Sequence, residues 1–227
     1  MRRLTAPLAL TALLVAGALP LLAAPSRAAA WPADYVGRLQ ALALLQTFNS
    51  DLLSHDSATL TLERWCGDRG LASPARVTAQ RQTEVDKPAS ADTRQLLGVG
   101  PDEPVRYRRV RLSCGAHVLS EADNWYVPAR LTPEMNRALD TSDVAFGRAV
   151  QALHFQRHTL SADLLWSPLP KGWENAPAGR PSGEPQLAIP PQVLQHRAVL
   201  TLPDATPFSH VVETYTSEVL AFPAPAR

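Results

Sequence analysis

The chain has 227 residues, 45% of them hydrophobic and 19% charged, and 22 lysines and arginines against 21 aspartates and glutamates leave a net charge of +1. That balance describes an ordinary globular protein and excludes a surface built for a polyanion, so neither nucleic acid nor acidic lipid is an expected partner. Residues 1–30 stand apart. Arg2 and Arg3 precede an apolar run from Leu8 to Ala24, and Ala28-Ala29-Ala30 supplies small residues at a cleavage position, the pattern of a secretory signal peptide. The competing reading is an uncleaved membrane anchor, although Pro20 interrupts the run. Either way residues 31–227 are expected outside the cytoplasm, periplasmic or secreted. They suit one domain with one core and no stable membrane span after cleavage.

Val36, Leu39, Leu42, Leu45, Phe48 and Leu52 recur at helical spacing after Trp31-Pro32-Ala33-Asp34 and predict an amphipathic first helix packed on a sheet. Asp56 to Leu62 fits a turn followed by either a short helix or a strand. Gly100-Pro101-Asp102-Glu103-Pro104 is a turn that releases the chain into Val105–Cys114; Gly115 turns it back, and His117–Val127 returns as the second strand of a hairpin, with Val118, Ala122 and Tyr126 on one face. Thr132-Pro133-Glu134 combines a capping hydroxyl, a proline at the first helical position and an early carboxylate, so a short helix runs from there to about Leu139. Asp140-Thr141-Ser142 repeats the capping chemistry and predicts a second helix carrying Phe146, Gly147 and Arg148, whose amides could face an anion.

Seven prolines between Ser167 and Pro191 predict a long surface loop over 167–191. Arg197–Leu202 and Phe208–Val219 flank Pro203-Asp204-Ala205-Thr206-Pro207 as a second hairpin. Strands, helices and strands again indicate the α+β class, an antiparallel sheet of about six strands with helices packed against it. Cys66 and Cys114, an even pair in a chain read as exported, fit a disulfide that would stabilise by ~4 kcal/mol on the chain-entropy model. Two buried free thiols fit the sequence equally, and neither cysteine has the surroundings of a nucleophile.

Three pieces of the chain carry a resemblance. They are Arg109 to Pro128 (Arg109-Val110-Arg111-Leu112-Ser113-Cys114-Gly115 through Trp125-Tyr126-Val127-Pro128), Phe146-Gly147-Arg148, and Thr206-Pro207 leading to Glu213. In this order they resemble chorismate pyruvate-lyase, which splits chorismate into 4-hydroxybenzoate and pyruvate. The resemblance implies a chorismate lyase-like fold, of the kind also seen in the UTRA-type effector-sensing domains of bacterial transcription regulators.

It also implies a site. Arg109 would grip a carboxylate, the backbone amide of Phe146 would reach the same carboxylate, and Glu213 would serve as the acid. Val211 and Tyr215 share a strand face with Glu213, and desolvation among them would raise its pKa. Arg108 takes the place of Arg109 if the register slips by one. A solvated edge strand accounts as well for Arg106, Arg108, Arg109 and Arg111, a core position for Phe146, and a surface position for Glu213.

Six residues separate Pro207 from Glu213, one more than the resemblance implies, so a bulge is expected between them. The chain also departs from the lyase at Asn124 and Ala162, where that family has arginines, leaving two cations short of a dianionic substrate. The chemistry calls for no metal or redox cofactor. His154 and His158 stand four apart, but Phe155 replaces the glutamate of a zinc-peptidase motif.

Two functions follow. One is cleavage of chorismate. The other is a non-catalytic exported module that binds a small carboxylated ligand such as chorismate or 4-hydroxybenzoate. Export favours the second, since chorismate is made and used in the cytoplasm.

Overall fold

The computed structural model describes residues 30–175 and 184–226. The signal-peptide reading falls on residues 1–29, outside the described residues, as does the middle of the Pro-rich segment. Among the described residues no helix is long and apolar enough to cross a membrane.

Helix α1 spans Tyr35–Leu53 and is capped by Asp34, whose carboxylate accepts from the Gly37 amide at 2.8 Å. Its buried face is Gly37, Ala41, Leu45, Phe48 and Leu52. The apolar stripe predicted from the sequence is therefore rotated at its start, where Val36 is exposed. Pro32 packs against this face at Gly37, where a Cβ would come within 2.3 Å of the Pro32 carbonyl. Only glycine lets the N-terminal segment lie that close. The ambiguous Asp56–Leu62 stretch is helical: α2 covers Ala58–Asp68, capped by Ser57.

Two elements that the sequence did not announce come next, strand β1 (Val77–Arg81) and helix α3 (Ala91–Leu97), the latter held between the Ser90 cap and the left-handed Gly98. The expected hairpin follows as β2 (Arg106–Cys114) and β3 (His117–Tyr126), turning at Gly115 with φ +58°. Thr132 caps α4 (Pro133–Thr141) through a 3.2 Å bond from the Met135 amide. This helix runs past Leu139, because Thr141 and Ser142 do not start a new one. Their hydroxyls bond back to the Arg137 and Ala138 carbonyls at 2.8 and 2.7 Å, the use such residues find at the end of a helix. The next helix, α5, is only Phe146–Ala149, and its N-cap Ala145 has no capping side chain.

Strand β4 (Gln156–Leu164) precedes the Pro-rich segment, and β5 (Gln192–Thr201) and β6 (Pro207–Thr216) form the second hairpin. The six strands make one fully antiparallel sheet in the order β1-β2-β3-β6-β5-β4. The protein is thus α+β, with helices laid on the sheet. The bulge expected before Glu213 is present, since the register shifts between Leu200–Ser209 and Thr201–Pro207 and leaves one extra residue on β6.

Helices α1 and α2 cover one sheet face through a cluster that includes Leu45, Phe48, Leu62, Trp65, Leu112, Leu194 and Tyr215. A second cluster on that face joins Leu139 and Phe146 to Tyr126, Leu200 and Phe208. Cys66 of α2 and Cys114 of β2 are disulfide-bonded, with Cα atoms 6.5 Å apart. The described parts of the Pro-rich segment are pinned to the core rather than loose: Leu169 is buried, and the Leu187 amide donates to the Trp31 carbonyl at 2.7 Å.

Candidate functional site

Residues paired across neighbouring strands share a face, so the register says which side chains meet. One row runs Arg108, Asn124, Val211 across β2, β3 and β6, and the next runs Val110, Ala122, Glu213. Both rows point under the helices. Ser57, Ala58 and Thr59 at the start of α2, Phe146 and Gly147 of α5, Phe155, and Arg157 and Leu200 from β4 and β5 complete a small, partly open cavity of about 40 Å³. Its lining mixes apolar side chains (Val110, Leu112, Phe146, Phe155, Leu200, Val211) with polar and charged ones (Ser57, Thr59, Arg108, Asn124, Arg157, Glu213).

Gly147 sets how closely α5 meets α2. A Cβ there would lie 2.8 Å from the Ser57 hydroxyl and 3.0 Å from that of Thr59. A Gly147→Ala substitution is expected to force the two helices apart and destabilise the protein by about 1–3 kcal/mol, read as a lowered urea midpoint with unchanged m-value. Arg148, beside it, pairs with Glu63, whose other oxygen accepts from the Val77 amide at 3.0 Å. It ties α5 to α2 and β1 and takes no place in the cavity lining.

The four arginines of β2 have different fates. Arg106 pairs with Asp140 at 2.7 Å, Arg111 with Glu121 at 3.1 Å, and Arg109 with Asp123 at 3.1 Å and Glu121 at 3.4 Å. Arg108 is 7% exposed, and among the described residues no carboxylate pairs with it. Its Nη2 donates to the Val144 carbonyl at 3.0 Å, while its Nε is buried without a partner. Burial, helped by the nearby charge of Arg81, pulls its pKa down to about 10, which leaves it charged at neutral pH. Asn124, its partner in the register, accepts from the Ser209 hydroxyl at 2.6 Å, and its Nδ2 is also buried without a partner.

At the other end of the cavity Arg157 reaches across β5 to Glu213 at 2.5 Å, with side chains 4% and 9% exposed. The Tyr215 hydroxyl donates to the same Glu213 oxygen at 3.1 Å, and the Arg157 Nε has no partner. Behind them His196 bonds Asn49 through Nε2 at 2.7 Å and stacks edgewise on Tyr215. Burial pushes its pKa down to about 4, against the opposing pull of Glu213. A histidine depressed from about 6.5 binds its proton more readily in the unfolded chain, so stability is full above that value and is lost as pH falls towards 4. We expect the urea midpoint to drop between pH 7 and pH 5, and His196→Gln to flatten that slope.

Of the three residues predicted for the site, Phe146 and Glu213 line the cavity, and Arg109 does not. Arg109 projects from the opposite sheet face, beside Lys87, Glu121 and Asp123, in an open polar depression. The strand period of two is the reason, since adjacent residues take opposite faces. Arg108 occupies the expected place instead. Arg157 also brings a guanidinium to the cavity, but it is paired with Glu213 and so adds no free charge in place of the arginines absent at Asn124 and Ala162.

Sequence reasoning missed Arg157 as a site residue. His154 follows a short 3-10 turn and His158 lies on β4, so the two histidines four apart do not share a helix. Alternation of Phe155, Arg157 and Thr159 was the available signal.

No family model matches the chain. Over 196 residues it is 56% identical to the uncharacterized protein y4mC of Sinorhizobium fredii (strain NBRC 101917 / NGR234), a match that takes in 86% of this chain and 83% of that one. The chain belongs to the y4mC family.

Solved structures similar to this y4mC-family protein include effector domains and regulators. The effector domain of PhnF from Mycobacterium smegmatis shares 14% identity over 72% of this chain and 90% of its own, with a TM-score of 0.45. A GntR-family transcriptional regulator from Enterococcus faecalis V583 shares 14% over 66% and 99%, at 0.39. YydK from Bacillus subtilis, a possible transcriptional regulator, shares 18% over 66% of this chain, at 0.39, and this match spans only 62% of the regulator. A likeness of this degree says nothing about ligand or activity.

Proposed function

We propose that the cavity binds a small organic molecule with a carboxylate and an apolar, aromatic body. The observation that carries this reading is Arg108, a buried cation with no carboxylate partner among the described residues, next to the unpartnered Nδ2 of Asn124. An unsatisfied buried donor costs about 1–3 kcal/mol, and a lone buried charge costs more. A carboxylate seated between the two would satisfy both. Val110, Phe146, Phe155, Leu200 and Val211 would cover the ring.

Cleavage of chorismate is the finer reading, in which Glu213 acts as the acid. In its favour, Glu213 lines the same cavity as Arg108 and Phe146. The N-terminal pattern extends both readings to an exported protein, with which the Cys66–Cys114 disulfide agrees. The test is a calorimetric titration of the purified protein with benzoate and 4-hydroxybenzoate, beside incubation with chorismate monitored for 4-hydroxybenzoate by ultraviolet absorbance. Saturable binding supports the binding reading, and product formation adds the lyase. Neither binding nor product would refute both.

A further inference from the structure

We infer that the cavity admits one negative charge and rejects a second, so that it selects monocarboxylates over dicarboxylates of the same shape, with Glu213 as the selecting residue. This rests on the carboxylate-binding reading above, not on the lyase reading, since it counts against chorismate, a dicarboxylate, and it goes beyond that reading by specifying the charge and the far-end chemistry of the ligand.

The argument is a charge count. Four ionisable side chains line the cavity: Asp56, Arg108, Arg157 and Glu213. Arg157 is engaged with Glu213 in a pair almost wholly out of solvent, so each cancels the other's field where screening is weakest. Asp56 stands exposed at the mouth, where its carboxylate accepts from the Arg157 backbone amide at 2.8 Å. Among the described lining residues that leaves Arg108 as the buried cation with no carboxylate paired to it.

The unmatched donors divide in the same way. Arg108 Nε and Asn124 Nδ2 come from residues paired in the β2–β3 register and form one seat. Arg157 Nε is the third, at the other end beside Glu213. Because its charge is already neutralised, Arg157 Nε calls for an uncharged acceptor, such as an ester, ether, carbonyl or hydroxyl oxygen. Register neighbours one rung apart on adjacent strands lie about 7–8 Å from each other, and Asn124 and Glu213 are so related. A ligand one ring long that seats its carboxylate at Arg108 therefore brings its far end to the Glu213 carboxylate. A second carboxylate there meets an ion pair that is already neutral, so its loss of water in a dry site is not offset by any free cation, and binding is disfavoured.

Three probes separate charge from size: benzoate, terephthalate and terephthalate monomethyl ester, titrated calorimetrically into the purified protein at neutral pH. The ester has the outline of the diacid and a single charge. The inference expects benzoate and the ester to bind, the ester at least about ten-fold more tightly than terephthalate. In Glu213→Gln, which leaves the Arg157 charge free, that preference shrinks or reverses. Should the variant fail to fold, the wild-type ratio decides alone. Equal affinity for ester and diacid would overturn the inference while leaving the carboxylate site standing, as would an unchanged ratio in a folded Glu213→Gln. Binding of benzoate with rejection of the ester would also overturn it. Failure of all three probes would remove the carboxylate-binding reading itself.

Discussion

Replacing Arg108 with methionine is expected to weaken benzoate binding by at least about 30-fold, roughly 2 kcal/mol or more, without lowering the thermal midpoint. Most core substitutions lose stability and function together. Here they should separate, because the folded protein carries the desolvation cost of a guanidinium that no carboxylate among the described residues offsets. Methionine fills much of the same volume and removes that cost. The protein gives up stability at a site that a ligand would complete, a common arrangement where function needs an unsatisfied group. Arg109→Met is the control. Its partners Asp123 and Glu121 are on the other face and its side chain is 34% exposed, so affinity should stay within about two-fold and stability should fall by no more than about 1 kcal/mol. Calorimetry and thermal melts on the two variants check the pair of outcomes. Equal loss of binding in both would refute the assignment.

Breaking the Arg157–Glu213 pair should have the largest effect on stability. Glu213→Leu leaves a guanidinium 4% exposed without its carboxylate and removes the acceptor of the Tyr215 hydroxyl. A loss of about 3–5 kcal/mol is expected, equivalent to roughly 6–20 °C in the thermal midpoint of a domain of this size. The double variant Arg157→Met/Glu213→Leu removes both charges and should recover most of it, to within about 2 kcal/mol of wild type. A double-mutant cycle measured by urea denaturation gives the coupling directly. Additive effects of the two single variants would mean that the pair contributes nothing as a pair, against its burial and its 2.5 Å separation.

Much of the fold was legible because local chemistry and tertiary structure agree. Thr132-Pro133-Glu134 starts a helix where its capping pattern says it should, and the β2–β3 and β5–β6 hairpins turn where Gly115 and the 203–207 stretch place them. The elements missed are short. β1 has five residues and α3 seven, too few for a period to stand out, although Ser90 and Gly98 carried the capping signals for α3. At the start of α1 the buried face meets Pro32 at Gly37, a contact made by chain folding rather than by helical spacing. Nor could local pattern reveal that β3 lies beside β6, which brings Asn124 against Val211 and Glu213 into the cavity.

Of the three site residues named from the sequence, Phe146 and Glu213 line the cavity and Arg109 misses it by one position. Arg108 and Arg109 are adjacent, yet in a strand that puts one in the cavity and the other in a solvated ion-pair cluster. Resemblance located the strand, whereas the register placed Arg108 inside. Asn124, marked in the sequence only as a missing arginine, has a buried Nδ2 without a partner beside Arg108. Arg157 brings a guanidinium from a different strand, already paired with Glu213.

The most direct test is a crystal structure of the protein soaked with 4-hydroxybenzoate. The carboxylate is expected between Arg108 Nε and Asn124 Nδ2, within hydrogen-bond distance of both, with the ring against Phe146 and Phe155. A ligand seated beside Arg109 on the outer face, or a cavity that stays empty at saturating ligand, would contradict the account.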